Sequence, residues 1–277
     1  MNNTSPFEEF VPKPENNLSF GIGKAILYSL VAVVVWQTIG GIVSLPGIFY
    51  KPLNHLTMPL GFLVGTISAI VILLMLTQTK FATIIQYIKH KFTFIQLILS
   101  ICCWFLFLPL AEFLTSLIPT TGPFEQIYKI FEESFEMMLE YKIAGFIMVC
   151  LLAPIFEEII FRGIILKGML NFKVNPTVAI LLNGLIFGLA HMNPWQFIGA
   201  GLLGVIFGYV YYRTKSLFLP ILLHFLNNTL SYTMMLVQGD MEGEVFIKSD
   251  YLLLGGLTIM GVISAYLLFK QTEQKIQ

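Results

Sequence analysis

Three stretches of this 277-residue chain set polar residues among apolar ones. The first reads Ile155-Phe156-Glu157-Glu158-Ile159-Ile160-Phe161-Arg162-Gly163, the second Phe187-Gly188-Leu189-Ala190-His191, and the third His224-Phe225-Leu226-Asn227-Asn228. On a helix Glu158 and Arg162 are i,i+4 neighbours that can pair as ions. Glu157 lies about 100° further round the axis and needs a partner of its own. Phe187 precedes His191 by one turn on the same face, so its ring can pack against the imidazole and fix it. His224 and Asn228 are again one turn apart and form two adjacent hydrogen-bonding groups. Each fragment also has a plain structural reading: a paired buried charge, an interfacial histidine, a polar clamp between helices.

Together the fragments supply a carboxylate, two imidazoles and an amide. A glutamate aided by a histidine can act as general base on water, and a histidine with an amide can donate to a tetrahedral oxyanion. Glu157, His191 and His224 are also acceptable zinc ligands, whereas Asn228 is a poor one; that donor set leans toward direct activation of water, with zinc as the open alternative. Other intramembrane protease chemistries fit poorly. No histidine is followed by glutamate, so the HExxH zinc helix is missing. The only aspartates, Asp240 and Asp250, lie in or beside the last loop, where they cannot form a membrane dyad. The nearest approach to a GxSx serine turn, residues 261–264, puts its serine one position too late.

The elements that position these groups follow from composition. The chain is 56% hydrophobic and 12% charged, with mean hydropathy +0.80; an ordinary soluble domain is about 25% charged. That excludes a soluble enzyme, and a net charge of zero carries no nucleic-acid footprint. A membrane-crossing helix needs roughly 20 mostly apolar residues. Eight stretches meet that need, at about 22–45, 57–77, 93–118, 143–166, 175–191, 195–212, 216–237 and 251–269. The expected fold is therefore all-α, one polytopic membrane domain over residues 1–277, with its chemistry concentrated at about 143–237. A charge at the bilayer centre costs about 2.5–3.5 kcal/mol on insertion scales. Glu157, Glu158 and Arg162 are the charges well inside a span, Glu112 being nearer an outer end.

Lysine and arginine set the orientation. With the N-terminus inside, eleven of them fall on cytoplasmic segments (Lys13, Lys24, Lys80, Lys89, Lys91, Lys167, Lys173, Arg213, Lys215, Lys270, Lys275). Four fall outside (Lys51, Lys129, Lys142, Lys248). This excess places both termini in the cytoplasm of a multi-pass cell-membrane protein. The polar start, with Glu8, Glu9 and Glu15 against Lys13, has the wrong sign for a signal peptide. Phe124, Ile127, Tyr128, Phe131, Phe135, Met138 and Leu139 recur at three- and four-residue steps between glutamates. That pattern predicts an amphipathic interfacial helix, read as a cover over the ends of other spans in preference to a substrate gate. Ala200, Gly204, Gly208 and Gly184, Gly188 form small-residue rows that let helices approach closely. Cys102, Cys103 and Cys150 form no readable disulfide or metal pattern.

The three motifs resemble those of the CPBP family (CAAX protease and bacteriocin-processing proteins, also called Abi): EExxxR, FxxxH and HxxxN or HxxxD on successive spans. Here they read Glu157-Glu158-xxx-Arg162, Phe187-xxx-His191 and His224-xxx-Asn228, all present, over about a third of the chain. The resemblance implies a bacterial intramembrane endopeptidase similar to the enzymes that trim prenylated CAAX proteins. It assigns water activation to Glu157, assistance to His191 and oxyanion stabilisation to His224 and Asn228, supported by Glu158, Arg162 and Phe187. The implied partners are a membrane protein or peptide substrate and the lipid bilayer; family usage leaves metal dependence open. The alternative is a non-proteolytic scaffold or bacteriocin-immunity partner of the same fold. An ion-coupled transporter fits less well, because no repeated half with matching broken helices is present. One expectation conflicts with convergence: with these spans Glu157 and His224 lie nearer the cytoplasmic side, and His191 nearer the outer face.

Overall fold

A computed structural model describes residues 18–238 and 251–273. Glu8, Glu9, Lys13, Glu15, Asp240, Lys248, Asp250 and Lys275 lie outside the described residues. Among the described residues, besides two short 3-10 turns (Lys51–Leu53 and Gly122–Phe124), ten helices follow in order: α1 (Ile22–Phe49), α2 (Asn54–Thr77), α3 (Phe81–Ile88), α4 (Phe94–Ser116), α5 (Glu125–Glu140), α6 (Lys142–Asn171), α7 (Pro176–Ala190), α8 (Pro194–Thr214), α9 (Phe218–Gln238) and α10 (Tyr251–Glu273). No strand occurs among the described residues. The chain is an all-α polytopic membrane protein.

All eight anticipated stretches are helical, but six helices among the described residues are long and apolar enough to cross a membrane. The other two depart for physical reasons. α7 has 15 residues, about 22 Å at 1.5 Å per residue, short of the ~30 Å hydrocarbon core. α9 is long enough, yet His224, Asn227 and Asn228 lower its hydropathy. α6, by contrast, runs 30 residues, past the anticipated end at 166. The amphipathic helix of the 124–140 region is present as α5, with no residue fully buried. The short α3 was not anticipated: its eight residues fall far below the length of a membrane-crossing stretch.

The helix starts obey local chemistry. Thr93 and Gln96 form a reciprocal capping box at α4, with Gln96 N donating to Thr93 Oγ1 at 3.2 Å and Thr93 N to Gln96 Oε1 at 2.8 Å. Asn175 caps α7 and Asn193 caps α8, each followed by proline at the first helical position. Met192 takes a positive φ of 55° just before Asn193. Three residues therefore suffice to reverse the chain between α7 and α8. Those two helices pack closely because Gly184 and Gly188 bring no side chain: a Cβ on Gly188 would stand 2.5 Å from the Phe197 carbonyl oxygen.

Two apolar cores fill the bundle. One joins α1, α2, α3, α6 and α7 and contains Phe161, Ile164 and Phe187. The other joins α4, α8, α9 and α10 and contains Trp104, Phe207 and Leu223. The charged motif sits at the seam between them.

Candidate active site

The winding of α6 sets the site. Residues Ile147–Leu152 and Ile159–Leu166 form widened turns with i to i−5 hydrogen bonding, on either side of an ordinary α-helical turn, Ala153–Glu158. Such bulges recur at functional sites. Ala153 N donates to Met148 O, five residues back. The next residue, Pro154, has no N–H to continue that register, which frees the carbonyl of Val149. Asn228 Nδ2 on α9 donates to that carbonyl at 2.8 Å. The amide thus ties α9 to the turn just before Glu157 and keeps a second N–H for other use.

Glu158 and Arg162 are both fully buried. Arg162 Nη1 donates to Glu158 Oε1 at 2.9 Å and Nη2 to the Gly204 carbonyl of α8 at 2.9 Å. The guanidinium carbon lies 4.3 Å from the ring centre of Phe187 and 5.7 Å from that of Phe207, one aromatic from each core. Gly204 is needed here, since a Cβ would meet Phe187 at 3.0 Å and Arg162 Nη2 at 3.2 Å. Glu158 Oε1 also lies 3.0 Å from His224 Nδ1. A carboxylate already paired to arginine can only accept, so Nδ1 carries the proton and the other ring nitrogen is set free. That nitrogen, Nε2, faces Glu157 Oε2 at 4.0 Å.

The two adjacent glutamates therefore have different surroundings. Glu158 is locked between Arg162 and His224. Glu157 lines a cavity of about 1310 Å³ that neither Glu158 nor Arg162 reaches, and its Oε2 is buried without a hydrogen-bond partner. A separation of 4.0 Å is too long for a direct bond, but a water can bridge groups at that distance.

His191 closes α7 and is held by Phe187. Its Nδ1 lies 2.9 Å from the Phe187 carbonyl oxygen, an acceptor, so Nδ1 donates and Nε2 keeps its lone pair. The Phe187 ring stands edge-on to His191 at 5.0 Å and to His224 at 5.7 Å. The conflict in depth is resolved by the length of α7: it stops short of a full crossing, and its last residue lines the same cavity as Glu157, His224 and Asn228. The structure brings all four predicted residues to that cavity, with Phe187 also on its wall and Glu158 and Arg162 packed behind.

Two further residues belong with the site. Asn227 lines the cavity, donates through Nδ2 to Asn228 Oδ1 at 3.3 Å, and accepts from Trp104 Nε1 of α4 at 3.3 Å. Asn227 stood in the quoted sequence fragment, and a second asparagine in an apolar helix was a signal; Trp104 carried none. Above the site α5 supplies Tyr128, Phe131 and Met138 to the cavity wall, its Phe131 ring stacked on Trp195 at 5.8 Å. Neighbouring ligands of a tetrahedral zinc ion stand about 3.3 Å apart, given bonds near 2.0–2.1 Å. Glu157 and His224 are wider than that, and no three His, Cys, Asp or Glu side chains among the described residues group to hold a metal.

The family model described as Type II CAAX prenyl endopeptidase Rce1-like matches residues 139–230, the segment that contains Glu157, Glu158, Arg162, Phe187, His191, His224 and Asn228. The chain is 36% identical over 107 residues to YdiL of Bacillus subtilis (strain 168), named as a candidate membrane peptidase; the match covers 39% of this chain and 43% of that protein. It is 38% identical over 99 residues to the membrane-embedded CAAX protease MroQ of Staphylococcus aureus (strain USA300), covering 33% of this chain and 40% of that one. The match thus spans less than half the length of either relative. No solved structure matches.

Proposed function

From the membership of this chain in the CAAX protease and bacteriocin-processing family, carried by residues 139–230, we propose that it is an intramembrane endopeptidase whose nucleophile is a water activated by Glu157. The observation that carries the assignment is the place of the Glu157 carboxylate on the wall of the large cavity; Oε2 of each glutamate is buried without a hydrogen-bond partner, but Glu158 does not line that cavity. Its neighbour Glu158 is committed to Arg162 and His224.

Water bridging Glu157 and a histidine nitrogen loses a proton to the carboxylate as its oxygen attacks the scissile carbonyl carbon. His191 Nε2, with its lone pair available, orients that water. The carbonyl oxygen becomes an oxyanion, which accepts from the free N–H of Asn228 and from His224 Nε2 when that ring is protonated, an imidazolium held by Glu158. Collapse breaks the C–N bond, and Glu157 returns its proton to the leaving amine. The apolar walls supplied by Phe131, Met138 and Leu203 suit a membrane-associated protein or peptide as substrate. No metal enters these steps.

The test compares peptides in membranes and medium of cells carrying the wild type or Glu157→Gln by mass spectrometry. Fragments should disappear in the variant, and cleavage by the purified protein should survive a chelator. Wild-type cleavage by Glu157→Gln would refute the assignment; loss of cleavage to chelator, restored by zinc, would transfer it to a metal mechanism. If Glu157→Gln complements every phenotype of a deletion strain, a non-proteolytic scaffold is the better reading.

A further inference from the structure

The end of the bundle away from α5 holds a second cavity, of about 390 Å³, between the end of α6, the turn into α7 and the end of α8. Lys167, Lys173 and Lys215 line it with Asn171, Tyr211 and Tyr212. Among the described residues no carboxylate lines it, and no ion pair includes any of the three lysines.

The cations crowd one another. Lys215, although exposed as a residue, has its ammonium pushed down to about 8 by desolvation and then by the charges of Lys167 and Arg213. Arg213 is already engaged elsewhere: its guanidinium donates to the Phe269 carbonyl at 2.7 Å and to Thr272 Oγ1, both on α10. Lys167 Nζ stands 5.3 Å from the Tyr87 ring centre, and the buried Tyr87 hydroxyl has no hydrogen-bond partner. Lys215 Nζ lies 4.2 Å from the Tyr212 ring centre. Lysines at helix C-termini complement the helix dipole, which accounts for Lys173 and Lys215 taken singly. It does not account for Lys167 inside α6, nor for the cavity that the three share.

Lys173 and Lys215 also occupy left-handed backbone conformations, at φ 62° and 60°. Glycine or asparagine would adopt these with less strain, and strained positions of this kind collect at ligand clamps. The cavity opens at the end of the bundle where Lys80, Lys89 and Lys91 also gather around the amphipathic α3. The ends of membrane-crossing helices such as α6 and α8 are where lipid headgroups are met, and basic pockets between membrane helices there capture anionic ones.

We propose that Lys167, Lys173 and Lys215 form an anion site for a phosphate group, carried by an acidic phospholipid headgroup or supplied as free phosphate. The site is independent of the peptidase reading and lies apart from its cavity.

Full-length protein in neutral detergent is titrated with phosphatidylglycerol, phosphatidylcholine or inorganic phosphate and bound species are counted by native mass spectrometry. Wild type should bind phosphatidylglycerol at least ~10-fold more tightly than phosphatidylcholine. Lys167→Gln with Lys215→Gln should erase that preference, and the matching pair of arginine substitutions should retain it. Lys51→Gln, at the opposite end of the bundle, should leave it unchanged. Displacement of phosphatidylglycerol by low-millimolar phosphate assigns the site to free phosphate; persistence assigns it to the lipid. Thermal melting of each variant separates lost binding from lost fold. Equal binding of the two lipids by wild type, or an unchanged preference in the folded double glutamine variant, overturns the proposal. So does a preference that emerges only when Glu8, Glu9 and Glu15 are changed to glutamine, since the chain's own acids would then answer the lysines.

Discussion

Glu157 and Glu158 are chemically identical neighbours, and their difference lies in what surrounds them. Replacing Arg162 by alanine leaves the Glu158 carboxylate buried and unpaired, removes a donor from the Gly204 carbonyl, and takes a cation from between two aromatic rings. Breaking a buried pair from one side costs about 3–5 kcal/mol, so Arg162→Ala should melt far below wild type in detergent or fail to accumulate. Glu157→Gln removes no hydrogen bond from Oε2, which has none. Its melting temperature should stay near wild type, within about 1 kcal/mol in stability, while cleavage falls by the roughly 10²–10⁴-fold that a general base contributes. A Glu157→Gln protein that is as unstable as Arg162→Ala would mean that Glu157 is a structural residue. The i,i+4 spacing made the Glu158–Arg162 pair legible in the sequence, and the odd position of Glu157 followed from the same helical wheel. The bond from Glu158 to His224 was not legible, because it joins residues 66 apart in the chain.

At the scale of elements, the junction of α6 and α9 separates structural from chemical roles. Pro154 cannot donate, and Asn228 Nδ2 fills the vacancy at Val149 O. Asn228→Ala should therefore cost about 1–3 kcal/mol for a carbonyl left unsatisfied, besides any loss of oxyanion stabilisation. Adding Pro154→Ala restores the backbone N–H that the widened turn requires. The double variant should recover melting temperature but not cleavage if Asn228 also serves the reaction; recovery of both would confine Asn228 to a structural duty. Helix contact gives a second expectation. A methyl on Gly184 would stand 2.9 Å from both the Gly201 carbonyl oxygen and the Val205 nitrogen. Gly184→Ala should thus push α7 from α8 and cost about 1–3 kcal/mol by overpacking, measurable as a lowered melting temperature with His191 displaced and activity reduced. The glycine spacing showed this contact in the sequence. The widened turns of α6 were not visible there, since i to i−5 winding leaves no mark on hydrophobic spacing, and the shortness of α7 was hidden because 175–191 is apolar apart from Asn183 and its two ends.

The whole molecule is polar in a second sense, along the bundle axis. One end gathers Lys80, Lys89, Lys91, Lys167, Lys173 and Lys215, whereas α5 at the other carries Glu125, Glu132, Glu133, Glu136 and Glu140 against Lys129. The large cavity extends toward the α5 end: residues 118–121 after α4, Tyr128 and Phe131 of α5, and Trp195 at the start of α8 all contribute to its wall. Charge bias predicts a cytoplasmic position for the lysine-rich end; on that orientation the groups around Glu157 should be reached from the outer side, past α5. The expectation can be checked without a substrate. In a chain with Cys102, Cys103 and Cys150 replaced by alanine, a cysteine at the exposed Thr121 should react in intact cells with a membrane-impermeant maleimide. One at the exposed His90, between α3 and α4, should react only after permeabilisation. The reverse pattern would invert the molecule and turn the cavity toward the cytoplasm. Labelling of both sites in intact cells would contradict the crossing of α4, whose apolar run of 23 residues is among the clearest in the sequence. With the expected pattern, a tethered substrate segment presented outside should be cleaved and the same segment presented inside should not, which ties the charge asymmetry of the chain to the direction from which its substrates come.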